Sequence, residues 1–175
     1  MTAPSLAPAR TPLLPAAPAS PARADLLDLA VTARAVARAS GWRDLVQYDP
    51  AERWYVRLVA TDAYEAWLLS WLPGQSTGPH DHGGSSGAML VLQGSVAETT
   101  FAGLGGPGAT SPATRTLPEG TLRPFGQKHV HDVAATGGPA VTMHVYAPAL
   151  RTMTRYAWAG DRLVAGATER AGADW

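Results

Sequence analysis

From Arg53 onward the chain consists of short runs rich in Val, Leu, Trp, Tyr and Thr, each cut off by Gly or Pro clusters about every eight to twelve residues. A helix of useful length does not fit between such breaks, whereas antiparallel strands joined by tight turns do. The rhythm therefore restricts the fold to a β-sandwich or barrel. The predicted strands are Arg53 to Val59, Tyr64 to Leu72, Ala88 to Gln93, Ser95 to Phe101, Ala113 to Leu117, Gln127 to Val133 and Ala140 to Ala147. Residues 102–112, with four glycines and two prolines, read as a hairpin loop.

Ahead of the strands, ADLLDLAVTARAVARAS carries apolar residues at helical spacing. Leu26, Leu27, Ala30, Ala33, Val36 and Ala37 make one stripe, Ser20 and Pro21 suit its start, and Gly41 suits its end. Residues 1–20 hold five of the 15 prolines and much alanine, a composition that cannot pack a core, so they read as a disordered arm. The remainder, 21–175, is short enough to read as one domain. Its 46% apolar content is ample for a core.

The 14 basic residues are balanced by 14 acidic ones and are not clustered, which argues against nucleic acid as a partner. No apolar run approaches the roughly 20 residues of a membrane helix, and prolines interrupt the start of the chain where a secretory signal would need a compact apolar block. A cytoplasmic protein is the expectation. Nothing in the sequence requires a second copy, so a monomer is expected. The absence of cysteine excludes disulfides, thiolate ligands and a cysteine nucleophile, and leaves histidine as the strong nitrogen ligand.

Four of the five histidines stand in two HxH patterns, His80-Asp81-His82 and His129-Val130-His131. Residues two apart on an extended segment share a face, so His80 and His82 can aim both rings at one ion while Asp81 turns away. The fifth, His144, lies in AVTMHVYA, which separates by parity into Val141, Met143 and Val145 on one side and Thr142, His144 and Tyr146 on the other. Such a polar triplet commonly faces water; the alternative is that it lines a barrel lumen. Tyr55 and Arg57 share a face of the first strand, where an arginine could equally point outward from a sheet edge.

The segment PGQSTGPHDHGGSSGAMLVLQG resembles the first motif of the cupin superfamily, with Gly94 at its closing glycine and Gly87 where that motif has a glutamate ligand. Taken with WYVRLV, LVLQGSVAETTF, HVHDV and PAVTMHVYAP, the order of segments along residues 40–158 looks like the cysteine dioxygenase family. The resemblance implies an all-β cupin jelly-roll barrel with an N-terminal α-helix. It implies metal ligands at His80, His82 and His131, with His129 as the rival for the third place; His131-Asp132-Val133-Ala134-Ala135 fits the family's His-x-Val-x-Asn except at its last residue. It also implies a hydrogen-bond relay of Thr142, His144 and Tyr146, threonine standing where the family has serine. Arg57 would hold the substrate carboxylate, with Tyr55 beside it and Leu69 on the pocket wall. With Gly87 and no cysteine anywhere, the cysteine–tyrosine cross-link of some members cannot form.

The implied cofactor is Fe(II). Three neutral imidazoles would leave its charge uncompensated, favouring an anionic ligand from the substrate. The implied reaction joins both atoms of O2 to the sulfur of L-cysteine to give cysteine sulfinate, with the thiol supplying all four electrons and no nicotinamide or 2-oxoacid required. Arginine rather than glutamine at position 57 favours cysteine over 3-mercaptopropionate. The alternatives are a dioxygenase of 3-mercaptopropionate or another small thiol, and a non-catalytic cupin whose histidines hold zinc or nickel structurally. The six tryptophans, Trp67 and Trp71 among them, read as core.

Overall fold

The computed structural model describes residues 26–106 and 108–171. The arm assigned to residues 1–20 and the helix start at Ser20-Pro21 lie outside the described residues. The described chain runs α1 (Leu26–Ala39), a short 3-10 turn (Trp42–Asp44), then β1 (Tyr55–Ala60), β2 (Glu65–Trp71), β3 (Ser86–Gln93), β4 (Ser95–Ala102), β5 (Ser111–Pro118), β6 (Leu122–Phe125), β7 (His131–Ala135), β8 (Ala140–Ala147), β9 (Thr152–Ala159) and β10 (Arg162–Arg170). One sheet has the order β1-β2-β8-β3-β6, a second β5-β4-β7 and a third β10-β9. The extended segment around Ser76 to His80 stitches the smaller sheets together through bridges from Ser76 to Ala134 and from His80 to both His131 and Arg155. All named pairings are antiparallel, as expected for a jelly roll.

Two cores lie on opposite faces of the five-stranded sheet. On its outer face α1 packs Leu29, Ala33 and Val36 against Leu68, Ala88, Leu90, Val141, Met143 and Val145. On its inner face Trp67, Leu69, Trp71, Met89, Val91 and Tyr146 meet Val96, Val133, Phe125 and Met153 from the facing elements. The period-two alternation of β2, β3 and β8 sends alternate residues to each core, so β2 and β8 are buried along their whole lengths. Trp67 and Trp71 belong to the inner core, as expected from their size, whereas Trp158 on β9 is exposed, against the core place expected for every tryptophan.

The structure corrects the sequence reading in several places. Leu29 takes the place of Leu26 and Leu27 in the buried stripe of α1, and both of those are exposed, because the helix phase that seats Ala33 and Val36 also turns Leu29 inward. The strand expected over Gln127 to Val133 begins only at His131; before it the chain turns, with His129 N–H donating to the Gly126 carbonyl. Strands β6, β9 and β10 have no counterpart among the predicted ones. β9 and β10 form a hairpin with much exposed surface, so their sequences lack the apolar alternation that marks the other strands.

Leu68 is fully buried between α1 and the sheet. Leu68→Ala is expected to cost about 2–5 kcal/mol in urea unfolding, whereas Val31→Ala on the exposed side of α1 should stay within about 0.5 kcal/mol.

Candidate metal centre

The bridges from His80 to His131 place the two HxH histidines beside the first residue of β7. His80 and His82 sit on an extended segment outside the regular strands, yet their same-side geometry holds. One ligand nitrogen from each of His80, His82 and His131 lies within 4.8 Å of the others. The three ring centroids are mutually 4.8–5.0 Å apart.

Hydrogen bonds fix two of the rings. His80 Nδ1 lies 2.9 Å from the Gly78 carbonyl, which can only accept, so the hydrogen is on Nδ1 and Nε2 presents a lone pair. His131 Nδ1 likewise donates to Glu98 Oε1 at 3.1 Å. His131 Nε2 and both nitrogens of His82 are buried without any hydrogen-bond partner. Buried polar atoms are almost always paired, so this group of orphans fits a cation that accepts several lone pairs at once. Burial, first of all, holds the pKa of His80 and His82 well below the ordinary imidazole range, and the neighbouring His131 adds to it. His131 is lowered chiefly by burial as well, although its bond to Glu98 opposes the shift. Neutral imidazoles are the ligating form.

His129 is turned elsewhere. Its Nε2 donates to Glu98 Oε1 at 2.9 Å, and its ring stacks on Phe125 with centroids 4.9 Å apart. Glu98, His129 and His131 form a second close group, but Arg115 and Arg123 already donate to Glu98 Oε2, at 2.7 Å and 2.9 Å. Two guanidinium groups at the carboxylate disfavour a cation there. Burial opposes ionisation of Glu98, but hydrogen bonds from His129, His131 and Arg123 outweigh it and keep the carboxyl well below its usual range.

The glutamate position of the cupin motif is closed by packing. A Cβ on Gly87 would run into the Phe125 ring and come within 3.0 Å of the Val145 carbonyl. Phe125 stacks on His82 at 4.8 Å, so the space of a carboxylate ligand is taken by an aromatic ring.

Thr142, His144 and Tyr146 all face the inner core and are buried. Trp71 Nε1, a pure donor, gives its hydrogen to Thr142 Oγ1 at 2.8 Å. The Thr142 hydroxyl lies 2.9 Å from His144 Nε2, and His144 Nδ1 lies 3.2 Å from the Tyr146 hydroxyl. Burial, then the nearby His131 and Arg53, drive His144 down to about 3, so it stays neutral. His144 is tied between the Thr142 and Tyr146 hydroxyls, either of which can donate to it. Burial raises the Tyr146 pKa, which keeps its phenolic hydrogen in place. The ring of Tyr146 lies 5.2 Å from that of His82.

Of Arg57, Tyr55 and Leu69, only Leu69 lies at the cavity beside the imidazoles. The cavity beside the imidazoles is lined by Arg53, Leu69, Thr77, His80, His131, Val133, His144, Tyr146, Met153 and Arg155. Leu69 is there. Arg57 is not: its side chain is 49% exposed and reaches Glu65 at 3.6 Å, because it sits where β1 passes the buried end of β2. Tyr55 packs edge-on to Trp67 at 5.9 Å and is also absent from the lining. Arg53 shares their parity, two residues further back, and is the guanidinium that reaches inward. It lies over Trp71 and donates from Nη1 to the Ser76 carbonyl at 2.9 Å, while its Nε is buried without a partner. Arg155 enters from β9, fixed by Nη1 to the Thr77 carbonyl and by Nε to Glu169. The described side chains leave a free volume of about 10 Å³, about one water, so admitting even a small thiol requires part of this lining to give way.

A sequence model of cysteine dioxygenase type I matches residues 22–159. The chain belongs to the cysteine dioxygenase type I family. Solved structures agree on the fold. A protein from Thermus thermophilus is 22% identical with a TM-score of 0.53, covering 62% of this chain and 94% of its own. A double-stranded β-helix protein from Klebsiella pneumoniae is 19% identical with a TM-score of 0.52, covering 61% and 80%. A cupin superfamily protein from Desulfitobacterium hafniense is 17% identical with a TM-score of 0.50, covering 79% and 98%. At such identities these likenesses speak for the fold alone. No curated protein matches the chain. Family membership and the His/Glu grouping point together to a metal-binding, dioxygenase-like protein. Among the described residues, no helix is long and apolar enough to cross a membrane.

In the unfolded chain these histidines titrate near their ordinary value of about 6.5, whereas in the folded protein they resist protonation. The unfolded state therefore binds more protons below about pH 6.5, and stability must fall there as pH falls. Metal-free protein is expected to lose thermal stability steadily from pH 7 to pH 5. Each buried imidazole contributes up to about 1.4 kcal/mol per pH unit, and His82→Gln should flatten the slope.

Proposed function

We propose that this protein is an iron-dependent thiol dioxygenase that oxidises a small carboxylate-bearing thiol, in the first instance L-cysteine, to its sulfinate. The observation that carries the reading is the convergence of three buried imidazoles, two of them with unpartnered nitrogens, beside a cavity lined by His80, His131 and two guanidinium groups. His80, His82 and His131 would hold Fe(II). A ferrous ion supplies coordination positions at which a thiolate and O2 can react, in the overall change RSH + O2 → RSO2⁻ + H⁺.

The chain's own residues account for the rest. Arg53, with its unpartnered Nε, and Arg155 offer positive charge to the substrate carboxylate, and burial makes such a pairing stronger than at the surface. Leu69, Val133 and Met153 exclude water from the alkyl part of the thiol. Tyr146, oriented through His144, Thr142 and Trp71, directs a hydrogen-bond donor towards the developing oxygen charge. Positioning by these groups is the main gain, since it makes attack on sulfur effectively intramolecular. The carboxylate and the thiol, which L-cysteine and 3-mercaptopropionate share, are the features the cavity addresses.

Iron-loaded protein is expected to consume O2 when given L-cysteine. Uptake that is faster with 3-mercaptopropionate would assign that thiol instead, and no thiol-dependent uptake would refute the activity. Arg53→Met should raise KM by about tenfold or more, consistent with losing a charged hydrogen bond of about 1.5–3 kcal/mol, whereas Arg57→Gln should change it by less than about threefold.

His131→Ala should abolish iron retention. His129→Ala should leave the metal bound, as measured by iron content after gel filtration; the opposite pattern would move the third ligand to His129.

A further inference from the structure

Glu98 lies in the middle of β4, paired in register with Arg115 of β5 and Val133 of β7, and is fully buried. A buried carboxylate is costly unless every lone pair is used. Here they are used. Oε2 accepts from Arg115 Nε and Nη2, at 3.0 Å and 2.7 Å, and from Arg123 Nε at 2.9 Å. Oε1 accepts from His129 Nε2 at 2.9 Å and His131 Nδ1 at 3.1 Å. The arginine side of the carboxylate is fastened to β5 of its own sheet and to β6 of the five-stranded sheet, which leaves the other oxygen fixed in direction, and His131 hangs from that oxygen.

Gly87 cannot carry the acidic ligand of the cupin motif, because Phe125 fills its space. The chain nevertheless brings one carboxylate to the centre, a single hydrogen bond behind a histidine. We propose that Glu98 is the positioning residue of the metal centre: it locks His131 in the tautomer with hydrogen on Nδ1, aims Nε2 at the shared point, and strengthens that nitrogen as a donor, so replacing by one remove the carboxylate that Gly87 lacks. The inference rests on the reading of His80, His82 and His131 as a metal site. The alternative, a purely structural clasp between β4, β5 and β6, would use Arg115 and Arg123 and would be indifferent to the His131 tautomer. Partners of this kind typically set metal affinity by about 10–100-fold.

The test has two arms. In metal-free, ¹⁵N-labelled wild-type protein, two-bond nitrogen–proton correlations read the His131 tautomer directly; hydrogen on Nδ1 is expected, and hydrogen on Nε2 would overturn the proposal even if no variant folds. In Glu98→Gln, the amide cannot accept from arginines and histidines on both sides. Loss of the single Nδ1–H tautomer and about a 10–100-fold fall in Co(II) affinity are expected, the affinity measured by chelator competition with the Co(II) absorption spectrum as a second readout. A folded Glu98→Gln protein that binds Co(II) within about threefold of wild type and keeps the tautomer would overturn the role. Wild type that binds no Co(II) would refute the metal reading instead, and the tautomer would still decide whether Glu98 orients His131.

Discussion

The five-stranded sheet is covered on both faces, and the consequences are concentrated in β8. Antiparallel sheets commonly leave one face to water, and a strand with Thr142, His144 and Tyr146 on one side would ordinarily show that side to solvent. Here α1 takes Val141, Met143 and Val145, while the triplet is enclosed by the facing elements. Enclosure obliges the triplet to satisfy its own hydrogen bonds. The chain from Trp71 through Thr142 and His144 to Tyr146 is the result.

The same enclosure sets the electrostatics of the imidazoles. Removing His80, His82, His131 and His144 from water favours their neutral form, and the neutral rings of His80, His82 and His131, with centroids 4.8–5.0 Å apart, can coexist where imidazolium ions would repel. Charged groups stand on either side of the rings. Glu98 is held by arginines and histidines behind His131, and Arg53 and Arg155 stand at the cavity.

Much of this was legible in the sequence because it depends on period two. The spacing of His80 and His82, the parity of Thr142, His144 and Tyr146, and the breaks of Gly and Pro are local properties that a strand reader can count. The family resemblance reached Leu69, but Arg53, just ahead of β1, was not singled out by it, and its inward place depends on contacts with Trp71 and Ser76. Glu98 left a fainter mark: an acidic residue in line with Val96 on the inward side of β4. Arg155 left none, since β9 and β10 have little apolar alternation and their place against Thr77 depends on a distant pairing.

The sequence by itself determined the alternation of strands, the lack of any thiolate ligand, and the identity of the imidazoles that can share a face, because these follow from side-chain type and a fixed two-residue repeat. The tertiary structure decided between His129 and His131 as neighbour to the HxH pair, put Phe125 where an acidic ligand would need space, turned Arg57 outward and Arg53 inward, and delivered Glu98 behind His131. Each of those choices depends on how β4, β5, β7 and β9 meet residues far away in the chain, and no local repeat encodes that register.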